Sequence, residues 1–337
     1  MNFHFQPLAL ALVAGSALLF TPVLVRAAME ETLQKQFEVK PGGRLVIEAD
    51  RGSIDLTTAD TDKVEIAVHR KVGRGNQTKG TEILERHEVT FESVDGTVTV
   101  RARSKGGLSG WRNSWSNFQV NYRVTLPKAF NVDLKTAGGN ISVPDLTGEV
   151  RAQTSGGSVK LGHIDGPVWG KTSGGNVHVE SATSTIEVRT SGGGIRVGEA
   201  QSSLIASTSG GNIEIQQVRG QADLGTSGGS IRIDRAMGAV QAGTSGGNIT
   251  VNFSGSPEED SVLRTSGGSV TFSLPDKASA EVDLRTSGGR VSSDLPVTVQ
   301  GEQRPSSLAG RIGDGGRLIK ASTSGGNVSL RRGSTIE

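Results

Sequence analysis

Thr154-Ser155-Gly156-Gly157-Ser158-Val159-Lys160-Leu161 is followed one period later by Thr172-Ser173-Gly174-Gly175-Asn176-Val177-His178-Val179. The same phrase opens at Thr190, Thr208, Thr226, Thr244, Thr265, Thr286 and Thr323, and an alanine-containing version opens at Thr136. The first seven starts are 18 residues apart, the next two gaps are 21, and the last is 37. Self-similarity at a fixed period marks a solenoid of stacked coils.

Aligned on the threonine, the copies form columns. Five residues on stand Ile141, Val159, Val177, Ile195, Ile213, Ile231, Ile249, Val270, Val291 and Val328. Two residues further, Val143, Leu161, Val179, Val197, Ile215, Ile233, Val251 and Phe272 continue the pattern. Apolar residues also stand four and two before the threonine, as in Val150 and Ala152 or Ile186 and Val188. A spacing of two is the strand period, and β-branched residues favour strands. Each coil is therefore expected to hold two short strands with one face inward. The glycine pairs are read as the turns between them, reached through positive φ. They are Gly138-Gly139, Gly156-Gly157, Gly174-Gly175, Gly192-Gly193, Gly210-Gly211, Gly228-Gly229, Gly246-Gly247, Gly267-Gly268, Gly288-Gly289 and Gly325-Gly326. A second turn falls near Gly148, Gly166, Gly220 and Gly238. The columns do not recur every six residues, as a left-handed β-helix requires, and parallel crossovers default to the right hand. The expected fold is all-β: a right-handed parallel β-solenoid of about ten coils.

Composition agrees with a thin, turn-rich architecture. The 337 residues include 48 glycines and only 4% aromatics, too few large side chains for a thick globular core. Net charge is +2, which gives no electrostatic bias toward nucleic acid. Cysteine is absent, which excludes disulfides, thiolate metal sites and a cysteine nucleophile.

The ends differ from the repeat. Pro7 to Val25 is an uncharged apolar run followed by Arg26-Ala27-Ala28. It predicts a signal peptide over 1–27 cleaved after Ala27, with an uncleaved anchor as the alternative, since Met1 to Gln6 carries no Lys or Arg. No later run is long enough to span a membrane. Residues 28–135 are expected to form a β cap, with strands at Arg44–Ala49, Lys63–Arg70, His87–Ser93, Thr97–Arg103 and Phe118–Leu126. Asp50 to Leu56 reads as a worn copy of the turn-and-strand unit, and Val72–Gly80 and Ser104–Asn117 read as loops. Residues 136–337 are the solenoid, with Leu308–Gly316 and the final coil as its far cap.

Pro41-Gly42-Gly43-Arg44-Leu45, the Asp50 to Leu56 unit and Tyr122-Arg123-Val124-Thr125-Leu126-Pro127 resemble a known bacterial family. So do the Thr-Ser-Gly-Gly repeats and the closing Gly310-Arg311-Ile312-Gly313-Asp314-Gly315-Gly316. It is the "putative adhesin" family of β-strand repeats, a domain of unknown function. The resemblance implies a β-repeat fold over nearly all of the mature chain and offers no catalytic residues.

The candidate chemistry is sparse. The threonine column is read as a structural ladder rather than an ice-binding array, because it lies in phase with the inward positions. Asn140, Ser158, Asn176, Asn212, Ser230, Asn248, Ser269 and Asn327 follow the glycine pairs and cap backbone groups; a glycan groove is the alternative. Asp145, Asp165, Glu180, Glu199, Glu214, Asp223 and Asp234 are scattered and share no single column, unlike the converging carboxylates of polysaccharide lyases and hydrolases. Glu258-Glu259-Asp260 sits in an inserted turn, read as solvated rather than as a cation site, and His163 and His178 fall in different columns. No cofactor, metal or nucleic acid is expected. The loop Ser104–Asn117 carries Trp111, Arg112 and Trp115, either as a lid on the solenoid end or as a ligand contact. The chain is thus expected to be an exported, non-enzymatic, adhesin-like binding or scaffold module of the cell envelope, in the periplasm or at the cell surface. Its partner would be an envelope protein or glycan. A carbohydrate-active β-helix enzyme and an ice-binding solenoid are the alternatives.

Overall fold

The computed structural model describes residues 29–73, 77–105, 117–299 and 304–333. Within them are thirty strands and one helix, Gln77–Arg86. The strands form two sheets of fifteen, each running the length of the molecule.

One coil shows why. Val150–Gln153 lies in one sheet, the Thr154 turn follows, and Val159–Asp165 lies in the other. Val150, Ala152, Val159 and Leu161 point inward and are buried, while Arg151 and Lys160 point out. The next coil repeats this in parallel at the expected offset, with Val150 opposite Val168 and Val159 opposite Val177. Each inward Val or Ile contributes about 1.5–3 kcal/mol by leaving water. A third inward column, ten residues after the threonine, was not anticipated. Ile164, Ala182, Ala200, Val218 and Ala236 are all at most 1% exposed.

Positive φ is not what the repeated glycine pairs supply. Positive φ occurs at Gly148 and Gly166 in the opposite turn, but at none of the Thr-Ser-Gly-Gly glycines. The second glycine of each pair is needed for close approach instead. A Cβ there would lie 1.9–2.3 Å from the carbonyl oxygen of its counterpart one coil away. A Cβ on the first glycine would meet nothing nearer than 3.1 Å.

The ends are closed by coils that stack out of chain order. Arg44–Ala49 and Ser53–Ala59 form a coil whose Ile54 pairs with Ile141, so the worn copy at Asp50 is a true member of the stack. Its outer side is covered by Thr97–Ser104 and Phe118–Pro127, a later stretch of chain that also runs parallel to it. Antiparallel pairs then seal the edges, Lys63–Val72 and Met29–Glu38 on one sheet, His87–Val94 on the other. The hydrophilic stretch from Val72 does not stay a loop, because the helix Gln77–Arg86 starts within it and buries Ile83 against the core.

At the far end the expectation that the last coil is the cap is corrected. Leu318–Thr323 and Val328–Gly333 lie between two earlier coils. Leu318–Thr323 pairs with Ser261–Arg264 on one side and Ala280–Thr286 on the other. Val328–Gly333 likewise separates Val270–Pro275 from Val291–Ser293. Beyond them Ser307–Ile312 runs antiparallel to Ala280–Thr286, and Thr298–Val299, antiparallel to Ser307–Ile312 in turn, is the outermost strand of that sheet. The 37-residue gap before Thr323 is the length of this detour.

Candidate functional site

The threonine column is a set of clasps between coils. All ten threonines are buried, and each Oγ1 donates to the carbonyl of a glycine one coil away at 2.6–2.9 Å. For Thr136 that glycine is Gly52, which places the worn copy in the same scheme. The hydroxyls bond backbone rather than one another. The Asn and Ser ladder does the same in the open: Asn140, Asn176, Asn212 and Asn248 accept the backbone N–H of the next coil at 2.8–2.9 Å. Both columns are thereby occupied with holding the stack together.

A recess remains on the flank of one sheet, where each strand bends between its apolar positions. Residues eight and nine after the threonine face outward here. One hollow of about 500 Å³ is lined by His163, Glu180, Glu199, Gln217 and Arg235. A second of about 720 Å³ shares Asp234 and Arg235 with it and continues to Arg331 and Arg332. Together they make a furrow along the stacking direction. Its walls are internally bonded: His163 Nδ1 to Ser181 Oγ at 2.8 Å, Gln217 to Glu199 at 3.2 Å, and Arg235 to Gln217 at 3.1 Å. His178 bonds Glu180 at 2.9 Å, and that bond holds the Glu180 carboxyl below the usual carboxylate range.

Several acids of the coils are engaged on the surface. Glu187 pairs with Arg189, Glu199 with Arg219, Glu214 with Arg196 and Asp234 with Arg232, at 2.5–3.1 Å. Asp145 and Asp165 accept hydrogen bonds from the His163 N–H and the Thr183 hydroxyl. Among the described residues no group of three His, Asp or Glu side chains is placed to hold a metal ion. Glu258 and Glu259 are exposed, while Asp260 accepts the Leu318 N–H at 3.0 Å and so anchors the entry of the inserted coil.

Trp111, Arg112 and Trp115 lie outside the described residues, but the footing of their loop does not. Lys105 donates its N–H to Arg86 O, and Asn117 O accepts from Gly73, both at 2.8 Å. Beneath is a buried polar cluster that the sequence reading missed, because its members come from five separate strands and turns. Asp50 accepts the Ser104 N–H at 2.7 Å and faces His87 Nε2 at 3.6 Å. Burial alone would raise the Asp50 carboxyl, but His87 and Ser104 outweigh it and hold it below its ordinary value. Arg70, also buried, donates to the carbonyls of Leu84 and His87 and pairs with Glu31. The Tyr122 hydroxyl is buried without a hydrogen bond; burial first, then the Asp50 charge, pushes its phenol far up. The His87 ring stands edge-on to Phe118 at 5.1 Å.

Among the described residues no helix is long and apolar enough to cross a membrane. No curated protein matches the chain. The family model described as Toastrack DUF4097 matches residues 43–331. Solved structures similar to the chain include a "putative adhesin" from Bacteroides fragilis, 14% identical, covering 89% of this chain and 97% of its own, with a TM-score of 0.35. Another from Parabacteroides merdae is 12% identical, covers 90% and 97%, and has a TM-score of 0.42. A "putative lipid binding protein" from Parabacteroides distasonis is 11% identical, covers 89% and 97%, and has a TM-score of 0.35.

Proposed function

The chain belongs to the Toastrack DUF4097 family, and on that premise we propose that it is an exported, non-enzymatic binding or scaffold module of the bacterial cell envelope. The observation that carries this reading is the furrow along a stack on which several carboxylates are held in ion pairs. Hydrolysis or elimination on a glycan needs carboxylates converging on one bond, free to exchange protons. A long stiff face with fixed polar groups suits holding a partner instead. In this reading the stack is right-handed, residues 1–27 are removed on export, and 28–135 cap the solenoid of 136–337. The partner is an envelope protein or glycan, met at the Trp111-Arg112-Trp115 loop, because rigid aromatics beside Arg supply most of the energy at contact surfaces.

The test is co-sedimentation of the full chain with isolated envelopes, paired with an assay for shortening of acidic polysaccharides with and without Ca²⁺. Sedimentation without shortening is expected; turnover would overturn the non-enzymatic reading. Trp111→Ala with Trp115→Ala should remove sedimentation while the melting point stays within a few degrees. Retained sedimentation would move the contact off the loop, and a collapsed melting point would make the tryptophans a lid.

A further inference from the structure

The furrow is not uniform, and its widest point coincides with a break in the repeat. Ile231 and Ile233 pair with Ile249 and Val251 in register, but the next pair is Ala236 with Phe253. Asp234 and Arg235 thus stand opposite the single residue Asn252, a β-bulge. Phe253 takes the inward place that Ala236 fills one coil earlier, and it packs edge-on to Phe272 at 6.4 Å between ring centroids. Arg235 is left with no counterpart above it, and the hollow of about 720 Å³ opens there. Bulges of this sort re-aim side chains and collect at binding sites.

The far wall comes from the end of the chain. Arg331 and Arg332 belong to the inserted coil, two coils beyond Asn252. Each is tethered by one Nη1 only, to Asp294 at 3.3 Å and to Asp276 at 3.2 Å. Both guanidinia are more than half exposed, so the rest of each donor fork faces solvent. Arg235 makes no ion pair among the described residues; its Nη1 bonds Gln217, and the neighbouring Asp234 is held by Arg232. Three guanidinia therefore line one recess, two of them each held to a single aspartate and the third to an amide, while Asp234 on the same wall is paired with Arg232. Asn252 and Ser254 add amide and hydroxyl groups, and Met237, 44% exposed, adds an apolar floor.

We propose that the hollow between Arg235 and the Arg331–Arg332 pair is a subsite for an acidic sugar unit of a polysaccharide. The planar guanidinium fork matches a carboxylate in two parallel bonds, which a lysine cannot supply. Ring hydroxyls meet Asn252 and Ser254, and the C–H face of the sugar rests on Met237. Past Gln217 the furrow carries Glu199 and Glu180, which repel acidic units, so the acidic unit is confined to the hollow at Arg235, Arg331 and Arg332. This assignment rests on the binding-module reading and names the ligand class for it.

The experiment titrates the full chain with an oligogalacturonate and with a neutral dextran oligosaccharide, by calorimetry at fixed ionic strength. Saturable binding of the oligogalacturonate alone is expected. Arg235→Gln, and separately Arg331→Gln with Arg332→Gln, should each weaken it by about tenfold or more. Arg196→Gln, on the regular face, should leave it unchanged. Equal weakening by Arg196→Gln would mean diffuse attraction and overturn the subsite, as would unaltered binding in the other variants. Envelope sedimentation of the wild type separates the two claims. If it sediments but ignores oligogalacturonate, only the subsite falls; if it does neither, the binding-module reading falls as well.

Discussion

Gly210 and Gly211 are neighbours in sequence and have the same side chain, yet alanine should act very differently at the two. At Gly211 the new Cβ would sit 2.1 Å from Gly193 O and 2.4 Å from Gly193 C. Restoring an ordinary contact of 3.4 Å means lifting this turn off the coil below by about 1.3 Å. The Thr208 hydroxyl bond to Gly193 O, now 2.8 Å, does not survive that displacement. Its loss removes about 1 kcal/mol, and the overpacking adds about 1–3, so Gly211→Ala should cost about 2–4 kcal/mol. At Gly210 the nearest atom is 3.3 Å away and φ is not positive. Gly210→Ala should change stability by less than about 1 kcal/mol, with the lower unfolded-chain entropy working in its favour. Urea unfolding of both variants, with hydrogen exchange to localise the damage, decides the matter. If Gly211→Ala unfolds like the wild type, or Gly210→Ala loses as much, the close-approach explanation of the repeat is wrong.

Thr208→Val keeps the shape of the clasp but strands the Gly193 carbonyl, and should lower stability by about 1–2 kcal/mol in the same unfolding assay. Tyr122→Phe removes a buried hydroxyl that has no hydrogen bond, so its melting point should equal or exceed that of the wild type. The Asp50 carboxyl is held low in the folded state, so its stabilisation is present above the unfolded aspartate value of about 3.9 and is lost as pH falls below it. Protection of the amides in Lys63–Val72 and Thr97–Ser104, taken relative to the intrinsic exchange rate at each pH, should therefore fall between pH 5 and pH 3 in the wild type, and the effect should shrink in Asp50→Asn.

The coil was readable from the chain because its information is local. A threonine, two glycines and alternating Val or Ile state a turn and two inward faces within a dozen residues, and stacking merely repeats them. Even the cap strands announced themselves by alternation, as at Phe118, Val120, Tyr122 and Val124. The reason for the glycines was not readable, because the obstacle at Gly211 is a carbonyl 18 residues away in the chain and visible only once the coils are stacked. The stacking order at the ends was hidden for a related reason. Any coil bearing the phrase fits any other, so sequence cannot say which neighbours which. The furrow escaped notice because it depends on Arg235 and Arg331, 96 residues apart and joined by that order.

The inserted coil also sets an order on assembly. A chain delivered from its N-terminus can lay down coils as they arrive, up to the one that carries Thr265. The Thr286 coil emerges next, yet its final support, the Gly326 carbonyl, does not yet exist. The ledge at Gly268 is reserved for Thr323, although its shape would receive either threonine. Closure must wait for residues 318–333, and a chain lacking that coil is left with a vacant shelf and two bare strand edges. Such edges invite pairing with another chain or capture by proteases. The coil of Leu318–Thr323 and Val328–Gly333 thus works as a keystone between the coils on either side of it.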